Sequence, residues 1–187
     1  MADKTINKED FKFIDETYTF SNILYKINKS MNPLSSSCDI ISCLMGPINF
    51  SYKSIETIFI REKYLILGSF GKSTSTRFML TFIKDLNWSK VKLLNKSIIF
   101  ERNKISYEKY LDEIAFLSDI IVPKAQYNIL KETFRFNILG CGISGAGGED
   151  AVWVITNNKD ELVKFWKKKF SIVFACNLID HGLKEYD

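Results

Sequence analysis

The sequence predicts an α+β domain: an antiparallel sheet with helices packed against it. Two patterns and the overall size carry that expectation. Short β-branched and aromatic runs alternate with polar turns between about residues 54 and 100, and three more such runs follow at about 134–139, 151–156 and 171–176. Apolar residues at a 3.6-residue period mark helices at about 20–31, 106–121 and 159–169. At 187 residues and 46% hydrophobic content, the chain can bury roughly 70% of its unfolded surface in one core, so a single domain spanning 1–187 is expected.

Each element has its own justification. Phe20, Ile23, Leu24, Ile27 and Met31 share one helical face, and the helix must end before Pro33. The expected meander consists of Ile55 to Ile60, Tyr64 to Leu67, Phe78 to Phe82 and Val91 to Ile99. Its turns are Arg61-Glu62-Lys63, Gly68 to Ser75 and Asp85 to Lys90. Tyr107, Tyr110, Leu111, Ile114, Leu117 and Ile121 form the clearest helical stripe, with Ser106 placed to cap it and Pro123 beyond its end. Asn158 with Glu161 three residues on opens the last helix, whose basic end Lys167-Lys168-Lys169 offsets the helix dipole.

The N-terminus is polar with no apolar h-region, and no apolar run approaches the roughly 20 residues of a membrane helix. A cytoplasmic location is therefore expected. Cys38, Cys43, Cys141 and Cys176 match neither a CxxC pair nor a zinc site and should be free thiols.

Two segments resemble phosphate-binding motifs without completing them. Gly140-Cys141-Gly142-Ile143-Ser144-Gly145 satisfies GxGxxG after an apolar run, but Ala146-Gly147-Gly148-Glu149-Asp150 and a second strand follow where a nucleotide site needs a helix. Gly71-Lys72-Ser73-Thr74 has the end of a P-loop, but Ile66 stands where its first glycine belongs. Gly142 to Ala146 is a degenerate nucleophile elbow, and a Cys141–His181 pair would use the only histidine. None is intact, and no cofactor or metal is expected. Gly142, Ser144, Glu149 and Asp150 remain the loop's candidate functional residues.

Charge is uneven: residues 1–50 carry −1, residues 51–110 carry +7 and residues 111–187 carry −2. A basic face of this kind draws an anionic partner. Lys63, Lys72, Arg77, Lys90 and Lys92, with Trp88 in a polar turn as an aromatic anchor, are the candidate partner-binding residues. Nucleic acid fits less well, because only 4 of the 26 basic residues are arginine and no recognition motif is present.

With one histidine and no intact catalytic motif, the leading expectation is a non-catalytic protein that binds and neutralises an acidic protein, as an immunity protein or antitoxin does. The alternative is a small phosphate-handling or acyl-transfer enzyme that uses Gly140–Gly148 as a mobile loop, with Glu149 and Asp150 as acid, base or metal ligands.

Overall fold

A computed structural model of the chain describes residues 26, 30–31, 42, 48–50, 55–57 and 59–179. Residues 61–178 form one compact unit, and residues 1–60 with 179–187 belong to a second. Of the second unit, the described strands are β1 (Ile48–Phe50) and β2 (Ile55–Thr57), paired antiparallel with Ile48 opposite Thr57. The helix expected at 20–31 falls mostly outside the described residues; Lys26, Ser30 and Met31 are helical.

The first unit runs β3 (Tyr64–Ser69), α1 (Thr76–Ile83), α2 (Ser89–Glu101), α3 (Lys104–Leu117), α4 (Lys124–Thr133), β4 (Ile138–Ile143), β5 (Val152–Thr156), α5 (Lys159–Trp166) and β6 (Ile172–Asn177). Its four strands form one antiparallel sheet in the order β4-β5-β3-β6, with five helices around it. The α+β expectation holds, although a different set of segments supplies much of it.

The meander expected over 54–100 dissolves after β3. Phe78-Met79 and Phe82-Ile83 are spaced as i and i+4, and they form α1 under a Ser75 cap whose hydroxyl accepts from the Phe78 amide at 3.5 Å. Phe78, Leu80 and Phe82 alone have the spacing of a strand, and Met79 and Ile83 complete the helical stripe. Val91, Leu94 and Ile98 likewise follow the helical period, and α2 forms despite its β-branched residues. It ends at Arg102, which takes the left-handed conformation at φ 44° and returns its amide to the Ile98 carbonyl.

Helix α3 begins earlier than expected, because Asn103 rather than Ser106 caps it: the Asn103 side-chain oxygen accepts from the Ser106 amide at 2.9 Å. It also stops at Leu117, leaving Ile121 in a turn. Helix α4 was absent from the sequence reading. Its buried stripe, Gln126, Ile129, Leu130 and Thr133, is half polar, so hydrophobic periodicity alone does not reveal it. The strand expected at 134–139 starts only at Ile138, because Phe134 to Asn137 complete the turn out of α4. Strands β5 and β6 and helix α5 stand within a few residues of their expected limits.

One sheet face is dry. Ile66, Val152 and Val154 are fully buried there, and Gly68 lies against the rings of Trp166 and Phe170 at the end of α5. Trp166 donates to the Thr133 hydroxyl at 2.9 Å and stands edge-on to Phe170, which ties α5 to α4. On the other face Gly140 makes room for the ring of Tyr107, so α3 lies across β4 and β5. A bulge at Leu139 moves β4 from one alternation to the other, which aims Cys141 back at the dry face.

Candidate functional site

Strand β3 ends, β4 ends and β5 begins at the same edge of the sheet, since Val152 is opposite both Gly68 and Ile143. Two loops leave this edge side by side: residues 70–75, on the way to α1, and residues 144–151, joining β4 to β5. They are the two incomplete phosphate motifs of the sequence, about 75 residues apart in the chain.

The second loop is shaped by glycine. Gly145, Gly147 and Gly148 take φ values of +59°, +86° and +78°, which strain any side chain. The Gly148 amide donates to the Ile121 carbonyl at 2.8 Å, and a Cβ on Gly148 would come within 2.7 Å of the Thr74 hydroxyl. The exit from the loop is fixed by Gln126, fully buried at the start of α4, whose Nε2 donates to the Asp150 carbonyl at 2.6 Å. At the tip the amides of Gly145 and Ala146 have no hydrogen-bond partner among the described residues.

Three interactions bind the two loops together. Lys72 Nζ lies 2.8 Å from Glu149 Oε1, the Glu149 amide donates to Thr74 Oγ1 at 2.8 Å, and the Thr74 amide donates to Asp150 Oδ1 at 3.0 Å. Thr74 directly precedes the Ser75 cap of α1, so the helix start that the glycine loop lacks in its own sequence is supplied by the other segment. The two carboxylates sit on an ammonium and a backbone amide, the donors an anion's oxygens would use. The Lys72–Glu149 pair is exposed at 63% and 51%, so it is worth about 0–1 kcal/mol and yields readily to a more highly charged anion.

Beside the loop tip lies a cavity of about 580 Å³ between the second sheet face and helices α2 and α3. Leu65, Trp153 and Ile155 form its floor, Ile98, Tyr107 and Tyr110 its opposite wall, and Gly145 and Ala146 one end. Tyr107 meets Trp153 edge-on at 5.7 Å. Burial raises the Tyr110 hydroxyl above its usual pKa, and it raises that of Tyr107 too, against the opposing pull of Arg102. Both phenols are therefore neutral at physiological pH.

Of the sequence-predicted residues, Lys72, Glu149 and Asp150 meet in this cluster, and Gly142 lines the cavity. The Ser144 amide donates to the Ala151 carbonyl at 2.9 Å, closing the hairpin. Trp88 is half-buried rather than free: its indole donates to the Ile83 carbonyl at 2.9 Å, and it too lines the cavity. Lys63 stands at the start of β3, the far end from Lys72 and separated from it by about 20 Å of strand. Arg77 is on α1, and Lys90 and Lys92 are on α2, where Lys90 pairs with Glu113 of α3. These cations do not gather with Lys72 at one point.

Cys141 is buried, its thiol aimed at the Leu130 carbonyl and its pKa pushed far up by burial, so it supplies no thiolate. Its suggested partner His181 lies outside the described residues, as do Cys38 and Cys43. Nor does the loop make a nucleophile elbow, since a strand and not a helix follows Ser144. Thr74, Gly145 and Ala146 stand in the sequence motifs but are not among its candidate functional residues, and Gln126 is not read from the sequence at all; its polar place in the stripe of α4 gives no signal.

No family model matches the chain, and no curated protein matches it in sequence. Solved structures of one class of enzyme, small-molecule kinases, share its fold. A crystal structure of mevalonate kinase superposes with a TM-score of 0.68 at 18% identity, covering 87% of this chain and 57% of that one. The mevalonate kinase of Methanococcus jannaschii gives 0.63 at 16% identity, covering 87% and 56%. The chain thus spans a little over half the length of these kinases. This likeness overturns the expectation of a non-catalytic immunity protein, antitoxin or inhibitor: the fold that scaffold would need to explain is one found in kinases. Among the described residues no helix is long and apolar enough to cross a membrane.

Proposed function

We propose that the chain is a phosphate-handling enzyme of the kinase kind, in which the 70–75 and 144–151 loops form the cradle for a polyphosphate. The observation that carries this reading is the meeting of Lys72, Thr74 and the glycine loop at one sheet edge, on a fold shared with mevalonate kinases. Lys72 lies on Glu149 of the same loop that carries the free amides of Gly145 and Ala146, so the loop has both an ammonium and unpaired N–H donors to offer an anion. Glu149 occupies the ammonium until a phosphate replaces it, and the weak exposed pair lets that exchange proceed at little cost. Thr74 and Gln126 hold the loop's second half still, so only the tip must adjust.

A kinase reaction also calls for a divalent ion. Among the described residues no three His, Cys, Asp or Glu side chains converge on a metal position. The residues that fit are the Glu149 and Asp150 carboxylates, with the remaining ligands coming from the phosphates and water, as is usual for magnesium. Such an ion would neutralise phosphate charge during transfer. The donor and the acceptor of the transfer are left open by this reading.

Binding, rather than turnover, is the decisive measurement. Inorganic triphosphate and a magnesium nucleoside triphosphate should each raise the thermal unfolding midpoint in proportion to the logarithm of their concentration. Lys72→Ala should weaken that binding at least tenfold. No shift with either ligand up to millimolar concentration removes the proposal.

A further inference from the structure

The cavity beside the loop tip is too large to be ordinary imperfect packing. Protein interiors are filled like organic crystals, with few voids larger than a water molecule, whereas about 580 Å³ lies within the range of small-molecule sites. Its walls are built to stay open. The two indoles facing it, Trp88 and Trp153, have both spent their N–H groups, on the Ile83 and Ile143 carbonyls, each at 2.9 Å. They offer only ring surface to whatever lies inside. Gly142 lets Trp153 lie flat across β4, since a Cβ there would be 3.1 Å from the indole ring.

Polar groups in the lining are few. At one end are the unpaired amides of Gly145 and Ala146, and along the wall is the Tyr110 hydroxyl, which has no hydrogen-bond partner among the described residues. An apolar body therefore gains by leaving water for the interior, while an anionic head finds unpaired donors at the glycine tip and at the Tyr107 and Tyr110 hydroxyls.

We infer that this cavity binds the apolar part of an amphipathic anion, a hydrocarbon chain or ring system whose phosphate or carboxylate head is received by the Gly145 and Ala146 amides. The head-group half of this inference rests on the proposed anion cradle; the cavity half stands on the walls alone. The ligand class follows from the division of the lining: it is mostly apolar with no charged side chain, so a free polyphosphate gains nothing in the interior, and a purely apolar molecule leaves the two amides unused.

Calorimetric titration of the full chain with decyl phosphate, decanol and inorganic phosphate, each below any micelle concentration, tests it. Decyl phosphate should bind at least tenfold more tightly than decanol and more tightly again than inorganic phosphate. Ile98→Trp, which fills the cavity, should abolish decyl phosphate binding; if that variant does not fold, Asn95→Trp at the exposed cavity mouth should weaken it at least tenfold. Ala146→Pro deletes one head-group donor and should bring decyl phosphate down to the affinity of decanol.

Equal binding of decyl phosphate by wild type and a folded cavity-filling variant overturns the inference, as does binding of inorganic phosphate as tight as that of its decyl ester. Triphosphate binding at Lys72 with no decyl phosphate binding overturns the inference and leaves the kinase-like reading standing. Decyl phosphate and decanol binding alike, with no triphosphate shift, overturns both the head-group assignment and that reading.

Discussion

The two faces of the four-stranded sheet are made of the same kinds of residue and are used differently. On the dry face Ile66, Val152, Val154 and Trp166 are fully buried, and each aliphatic side chain sealed there contributes about 1.5–3 kcal/mol. On the other face Leu65, Trp153 and Ile155 are only partly covered, because α2 and α3 stand off from the strands and leave the cavity between them. Strand alternation makes both faces apolar. What differs is the layer that closes over each, so stability is concentrated on one side and room for chemistry on the other.

The comparison is broken most directly by removing an indole from each face. Trp166→Ala should cost about 3–5 kcal/mol, because it opens a void in sealed core and leaves the Thr133 hydroxyl without its donor. Trp153→Ala only enlarges an existing space and should cost less than half as much. Urea unfolding midpoints at constant slope give both values; equal losses would show that the cavity side is as well sealed as the other.

The next effect lies in the loop. Gly148→Ala forces a Cβ into a left-handed position and against Thr74, with an expected loss of about 1–3 kcal/mol together with weakened triphosphate binding. Gly145→Ala meets nothing within 4 Å and should cost only about 1 kcal/mol of backbone strain. Thermal denaturation of the two variants side by side checks the ranking.

Alkaline pH sharpens the contrast further. Tyr107 and Tyr110 have pKa values raised above 10.0, mainly by burial, so the unfolded chain loses those protons first and stability falls as pH rises past about 10. Lys131 works in the same direction. Burial pulls its pKa down, but hydrogen bonds and charge from Glu108 and Asp112 raise it overall, and that stabilisation is lost as pH climbs through the folded value. Stability measured from pH 8 to 11 should therefore decline only at the top of the range. Tyr110→Phe should make that decline shallower; an unchanged profile would place Tyr110 in a more solvated setting.

The smallest expected change in stability is at Lys72. Its exposed ion pair implies a loss below about 1 kcal/mol for Lys72→Ala, against the tenfold drop in triphosphate affinity expected of the same variant. A large stability loss without a binding change would make the pair structural.

How much of this was legible in the sequence depended on distance along the chain. Strands β5 and β6, α5 and the α3 stripe were readable, because their periodicity is local and their burial follows it. Helices α1 and α2 differ from the expected strands because Phe78, Leu80 and Phe82, and Val91 with Leu93, also satisfy a period of two, while the 3.6 period shows only once Met79, Ile83, Leu94 and Ile98 are counted. Helix α4 was hidden by Gln126 and Thr133, polar residues whose partners, the Asp150 carbonyl, the Ile129 carbonyl and the Trp166 indole, come from the fold.

The proposed site is hidden for a related reason. The glycine stretch joins two strands, and its own sequence offers no helix start; the nearest one, at Thr74-Ser75, lies beside it only through the antiparallel pairing of β3 with β5. A motif divided between two segments leaves no contiguous pattern to scan for. The likeness in fold to mevalonate kinases, at 18% identity, is of the same kind: similar geometry carried by fewer than one in five of the same letters.

Gly145 has a practical use. It is exposed at the apex of the β4–β5 connection with open space around the position where a side chain would begin, while Gly147 and Gly148 on its downstream side are fastened to Ser144 and Ile121. An asparagine substituted there tolerates the same left-handed geometry, and a cysteine would carry a fluorescent reporter outward from a rigid base. Its emission would register occupancy of the opening directly, without waiting for any turnover.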